Sequence, residues 1–199
     1  MNSSALCSLV VALGLVMICY SPMAANAGGH HGLAEKLCME SLEDKEGCMV
    51  LLNQADPKIV KAKTFEQLAQ ATLEWAVSKA TEGQAFLKGL AQIDNNKAIV
   101  QCANFDYDGV VASFKSALEG LKDDPDTASY DAKVAGDGPT VCDRALASAN
   151  INNPAIAALN RQIFLLSNMA FKAVSKIHWT SEFAASTSHG NACIRSCST

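Results

Sequence analysis

The sequence of 199 residues predicts an all-α protein, an up-down-up-down four-helix bundle preceded by a short disulfide-linked helical hairpin. Three observations favour this fold class. Apolar residues recur at steps of three and four along four long segments, which is the period of an amphipathic helix. Short turns join these segments, as in an antiparallel bundle. Finally, pairs of cysteines lie where disulfides would close two helical hairpins.

Residues 1–27 are predicted to be a signal peptide. Residues 5–19 form an apolar run of signal-peptide length, and Ala25 and Ala27 are small residues at the positions that signal peptidase reads. An uncleaved membrane anchor is the alternative, but it requires a longer span of about twenty apolar residues. We therefore expect a secreted, extracellular protein that does not contact the membrane after cleavage.

Six cysteines remain in the mature chain, and an even number in an exported protein predicts disulfides. Six cysteines allow about fifteen pairings. Chain order and the helical pattern favour Cys38 with Cys48 and Cys102 with Cys142. Cys193 and Cys197 are left, and they could bond to each other or link two chains into an oligomer.

The predicted bundle domain covers residues 28–179. It begins with two short helical segments, residues 33–42 and 47–54, which need a disulfide and docking because such short helices are unstable alone. The first long helix starts at Thr64, where the capping box pairs the Thr64 side chain with the Gln67 amide while Gln67 reaches back. Its apolar stripe is Ala69, Leu73, Ala76, Ala80, Gly83, Leu87 and Leu90, widened by Trp75 and Phe86.

The second helix is predicted over residues 96–121, and it ends before Pro125 because proline has no amide to continue the helix. Its buried stripe is Ala103, Tyr107, Val110, Phe114, Ala117 and Leu121. Asp126 or Thr127 is predicted to cap the third helix, residues 127–149, which Gly136, Gly138 and Pro139 should kink.

Asn153 and Pro154 begin the fourth helix as cap and first residue. Its stripe is Ile156, Leu159, Ile163, Leu166, Ala170, Ala173 and Ile177. The apolar pattern ends after Trp179, so residues 180–199 are predicted to be a flexible C-terminal tail.

Several function classes are disfavoured. The net charge of −4 and the absence of a Lys/Arg run argue against nucleic acid binding. No catalytic motif occurs, so we expect neither an enzyme nor a cofactor. Gly28, Gly29 and His30 would suit Cu(II) if cleavage follows Ala27, but a loose chain start is the simpler interpretation, and no metal site is predicted. A secreted helical binding or structural module without inhibitory activity is the alternative of another class.

Four stretches together resemble the plant invertase and pectin methylesterase inhibitor domain family. They are LCMESLEDKEGC, CANFDYDGVVASFKSAL, AKVAGDGPTVCDRAL and LNRQIFLLSNMAFKAVSKI. The resemblance implies a four-helix bundle after a helical hairpin, the same two disulfides, and export to the apoplast. It also implies a protein without catalysis or cofactor that occupies the substrate cleft of a carbohydrate-active enzyme of the cell wall.

Two positions bear on the target enzyme. Invertase inhibitors of this family tend to carry Pro-Lys-Phe before the third helix, where this chain has Pro125, Asp126 and Thr127. Pectin methylesterase inhibitors tend to have Thr directly before the fourth cysteine, where Val141 stands and Thr140 is one residue back. Asp126 would be repelled by catalytic carboxylates of invertase. Pectin methylesterase is therefore the favoured target, and acid invertase (β-fructofuranosidase) is the alternative. These five residues are predicted to contact the target enzyme.

Overall fold

The computed structural model describes residues 32–41 and 44–194, with side chains as far as residue 177. The described part of the chain is helical and contains no strand, which confirms the predicted all-α class. The predicted signal peptide, the Gly28-Gly29-His30 start and Cys197 lie outside the described residues. In the part that is described, no helix has the length and apolar character needed to cross a membrane.

Three short helices precede the bundle: α1 (Leu33–Ser41), α2 (Lys45–Leu52) and α3 (Pro57–Val60). The disulfide between Cys38 and Cys48 joins α1 to α2, with a Cα–Cα distance of 5.6 Å. Asp44 caps α2 by accepting from the Gly47 amide at 2.8 Å. Helix α3 was not predicted, although Asp56 before Pro57 is a typical helix start. The hairpin of α1 and α2 packs on the last helix of the bundle.

The bundle is formed by α4 (Phe65–Ile93), α6 (Tyr107–Gly120), α7 (Pro125–Val134) with α8 (Asp137–Ser148), and α9 (Pro154–Ile194). Helices α4 and α7 each pack against both α6 and α9, so the helices follow one another around the core in the order α4, α6, α7, α9. This arrangement confirms the predicted four-helix bundle.

The second and third predicted helices are less regular than the sequence pattern indicates. A short α5 (Lys97–Gln101) leads into one π-helical segment (Cys102–Asp106), which continues directly as α6. The third predicted helix is two helices, because the chain turns between Val134 and Asp137 as the glycines predict. The fourth helix continues to Ile194, whereas the apolar pattern predicted its end near Trp179.

The helix caps follow the sequence with one difference. Thr64 accepts from the Gln67 amide at 3.2 Å, but the Gln67 side chain accepts from the Lys63 amide and not from Thr64. Asn153 caps α9 by accepting from two backbone amides in its first turn. These contacts satisfy donors that a helix start leaves without partners.

The predicted stripes form the core almost completely. Leu90, Leu159 and Ile177 are half-buried, and Phe86 is 41% exposed, so Phe86 does not widen the buried stripe as predicted. Gly83 shows why the α4 stripe is rich in small residues. A Cβ atom at this position would lie 2.6 Å from Cδ1 of Leu159, so glycine allows α9 to approach α4 closely.

Candidate functional site

Three of the five predicted contact residues form the first turn of α7, directly after the turn that joins α6 to α7. Asp124 is the N-cap of α7, which corrects the prediction of Asp126 or Thr127. Its carboxylate accepts from the Thr127 hydroxyl at 2.7 Å and from the Thr127 amide at 3.1 Å. These two hydrogen bonds hold the pKa of the Asp124 carboxyl below its usual range. The cap falls at Asp124 because Pro125, which lacks an amide, can take the first helical position.

Capping determines which groups of this turn are available to a partner. The side-chain and backbone donors of Thr127 are both bonded to Asp124. Asp126 is exposed in the first turn of α7, and Pro125 is half-buried beside it. The two carboxylates lie at the positive end of the helix dipole, which stabilises them there. The turn therefore presents an acidic corner of the bundle.

Thr140 and Val141 lie in α8, beyond the break in the third predicted helix. Thr140 is exposed, but its hydroxyl donates to the Gly136 carbonyl oxygen at 3.1 Å within its own helix. Val141 is half-buried before the buried Cys142. The break between Val134 and Asp137 lies between these two residues and the first turn of α7. The structure thus separates the predicted contact residues into two patches.

A cluster of aromatic and cationic side chains, which the sequence pattern did not predict, joins α7 to α9. The ammonium groups of Lys133 and Lys172 each lie 5.3 Å from the centroid of the Phe171 ring. Lys133 also donates to the Asn168 side-chain oxygen at 3.1 Å. Tyr130, one turn before Lys133 in α7, is 68% exposed. We call these five residues the α7–α9 surface. The spacing of Tyr130 and Lys133 indicates that they share one face of a helix. It does not indicate that α9 packs beside that face.

A second exposed patch lies near the start of the π-helical segment. Ile93 at the end of α4 is 87% exposed and Phe105 is 78% exposed, which is unusual for large apolar side chains. Phe105 borders a cavity of about 680 Å³, which is also lined by Asn95, Lys97, Val100, Gln101 and Asn104. Lys97 is the cation of this patch, and it forms no ion pair among the described residues.

A groove of about 690 Å³ separates α2 from the first turns of α9. Val50, Leu159 and Leu165 contribute its apolar lining. At one edge Arg161 donates to the Asp44 carboxylate at 2.8 Å, which ties the hairpin to the bundle. The Gly47 amide and then Arg161 hold the pKa of the Asp44 carboxyl below its usual range.

A buried polar chain crosses the core near the Cys102–Cys142 disulfide. The Tyr107 hydroxyl donates to the Asn160 side-chain oxygen at 2.7 Å, and the Asn160 amide donates to the Asp143 carboxylate at 2.6 Å. Burial and the nearby carboxylates raise the pKa of the Tyr107 hydroxyl far above its usual value, so Tyr107 stays neutral. Burial also raises the pKa of the Asp106 carboxyl, whose Oδ2 atom has no hydrogen-bond partner.

Among the described residues, one group has ligand atoms close enough to hold a metal ion: Cys102, Asp106 and Cys142. Both sulfur atoms belong to the disulfide, whose Cα atoms lie 4.9 Å apart. A metal-binding cysteine needs a thiolate, which a disulfide sulfur cannot supply. This cluster therefore does not fit a metal centre.

The fold is shared with known inhibitors. No protein-family model matches the sequence, and no curated protein matches it. A crystal structure of a mutant form of a pectin methylesterase inhibitor from Arabidopsis is similar, with a TM-score of 0.62 and 18% identity over 72% of this chain and 96% of the other. A second Arabidopsis pectin methylesterase inhibitor has a TM-score of 0.53 and 18% identity, covering 71% of this chain and 93% of the other. At this identity the comparison establishes the fold.

Proposed function

We propose that the chain is a secreted protein inhibitor of pectin methylesterase, which it blocks by occupying the substrate cleft. The observation that carries this proposal is the similarity of the fold to two solved pectin methylesterase inhibitors over nearly their whole length. The similarity covers 72% and 71% of this chain, which is more than one pair of helices. An inhibitor of this kind needs a rigid surface and no catalytic group of its own.

Two features support secretion into the apoplast. Both disulfides of the described chain are buried, and disulfides persist in oxidising extracellular compartments. The apolar segment of residues 5–19 provides the export signal. Cys193, in the last part of α9, and Cys197 remain candidates for linking two chains.

Pectin methylesterase is favoured over acid invertase because of Asp126. This carboxylate is exposed at the corner of the bundle, next to the carboxylate of Asp124. A cleft with a catalytic carboxylate pair would bring like charges together, which costs several kcal/mol when water is excluded. We propose that Pro125, Asp126 and Thr127 contact the enzyme, with Thr140 and Val141 at the far edge of the contact.

Titration of the mature chain against a pectin methylesterase and an acid invertase at apoplastic pH tests this function. We expect stoichiometric loss of methylesterase activity and no effect on invertase. Inhibition of invertase alone would establish the alternative target. If neither enzyme is inhibited, the proposal is wrong and the fold serves a binding role of another kind.

The variant Asp126→Lys tests the reason for the target choice. It restores the cation that invertase inhibitors of this family tend to carry after the proline, so some inhibition of invertase should appear. Asp123→Lys is the matched control, because it makes the same charge change in the turn before the helix cap. Equal effects of the two variants would indicate that net charge, and not position 126, governs the choice.

A further inference from the structure

The α7–α9 surface carries two positive charges that the described chain does not neutralise. Lys36, Lys58, Lys79 and Lys88 each have a carboxylate within 4.0 Å. Lys133 and Lys172, like other lysines such as Lys61 and Lys115, have no such partner among the described residues. Lys133 is instead positioned by the neutral side chain of Asn168 and by the Phe171 ring. The surface is therefore cationic on a protein whose net charge is −4.

The geometry of these charges favours an anionic partner. Each ammonium group lies 5.3 Å from the same ring centroid, so the two are separated by at most twice this distance. Two exposed charges this far apart repel each other only weakly in physiological salt, where the Debye length is about 8 Å. A carboxylate that binds between the two ammonium groups would form an attractive pair with each of them, which a neutral partner cannot do.

Aromatic side chains supply the apolar part of the contact. Tyr130 is exposed one turn before Lys133, and the Phe171 ring is half-buried within 5.3 Å of both ammonium groups. Exposed Tyr and partly buried aromatic rings are typical of residues that dominate protein–protein binding energies. The same helix face continues to the α6–α7 turn, because Asp126 precedes Tyr130 by four residues. The surface is thus contiguous with the corner formed by the proposed contact residues.

We propose that the α7–α9 surface is the part of this chain that binds the target enzyme most strongly, through enzyme carboxylates that surround an apolar recess for Tyr130 and Phe171. The inference rests on the proposed inhibitory function and names the chemistry of the enzyme surface. Lys133 and Lys172 are expected to accelerate association and to make it sensitive to salt, since oppositely charged surfaces steer encounter. Tyr130 is expected to slow dissociation.

The double variant Lys133→Glu/Lys172→Glu tests the inference in the pectin methylesterase titration. Lys61→Glu/Lys115→Glu is the matched control, because it makes the same change in net charge at exposed lysines away from α7 and α9. Lys115 lies on the side of α6 that carries Asp108, which faces α4. Far-UV circular dichroism and thermal melting establish that both variants are folded.

The first variant should raise the half-inhibitory concentration by about tenfold or more, and the control by less than about twofold. Raising the NaCl concentration should weaken inhibition by the wild-type chain but have little effect on inhibition by the variant Lys133→Gln/Lys172→Gln. Equal inhibition by the Lys133/Lys172 and Lys61/Lys115 variants would overturn the inference and leave the inhibitory function intact. A wild-type chain that does not inhibit the methylesterase would instead overturn the function, and the inference with it.

Discussion

Removing the Cys102–Cys142 disulfide should destabilise the whole bundle. The bond closes a loop of 40 residues that contains α6, α7 and the turn between them. On the chain-entropy model, a loop of this length stabilises the folded state by about 4 kcal/mol. For a domain of this size, that loss lowers the melting temperature by about 8–16 °C. Both sulfur atoms are fully buried, so the loss of packing adds to the effect.

The variant Cys102→Ala/Cys142→Ala is preferred to serine substitutions, because a buried hydroxyl without a partner would add its own cost. Thermal melting and urea unfolding, followed by circular dichroism, measure the free energy of unfolding. The matched control is Cys38→Ala/Cys48→Ala, which opens a loop of 10 residues and should cost about 3 kcal/mol on the same model.

The two variants should also differ in where the chain loosens. The Cys38–Cys48 bond lies in the hairpin outside the four-helix core, so its loss should increase amide exchange in α1 and α2 first. Loss of the Cys102–Cys142 bond should increase exchange in the π-helical segment and α8. A smaller loss of stability in the Cys102/Cys142 variant than in the Cys38/Cys48 variant on global unfolding would contradict the dependence on loop length.

Three further substitutions and one control substitution test the core. Asp106→Asn should raise the free energy of unfolding at neutral pH and flatten its dependence on pH. Burial raises the pKa of Asp106 in the folded state, so the wild-type chain loses stability as pH rises from the unfolded-state pKa to the folded-state pKa. An unchanged pH profile in the variant would contradict this. Tyr107→Phe leaves the Asn160 oxygen without its donor and should cost about 1–3 kcal/mol in urea unfolding. Gly138→Ala should cost about 1–3 kcal/mol of stability, because its Cβ would lie 2.7 Å from the Asp106 carbonyl oxygen. Gly109→Ala is the control: a Cβ at this position would meet no atom within 4 Å, so the variant should be neutral or stabilising in thermal melts.

Local patterns predicted most of the helices correctly. Thr64 and Asn153 start α4 and α9 because a capping side chain acts within three residues of the chain. The stripe from Ala103 to Leu121 is buried throughout, because a helical period places these residues on one face wherever the helix packs. The error at the α7 cap was also local: Asp124 and Asp126 are equally suitable by residue type, and only the position of Pro125 in the helix distinguishes them.

The π-helical segment could not be predicted from periodicity. One extra residue per turn at Cys102–Asp106 changes which side chains face the core, and it buries the Asp106 carboxylate. This segment lies against a residue distant in sequence, since a Cβ atom at Gly138 of α8 would lie 2.7 Å from the Asp106 carbonyl oxygen. Such a close approach depends on the relative position of two helices, which is a tertiary property.

The all-α class, the amphipathic segments of the bundle and the joined cysteine pairs could be predicted from the sequence alone. This was possible because periodicity, capping and cysteine order are properties of neighbouring residues or of chain order. The tertiary structure decided which exposed residues form a common surface. Lys133 and Phe171 belong to different helices, and they meet only because α7 and α9 are neighbours in the bundle. The candidate contact surface therefore depends on helix packing, which no single helix pattern contains.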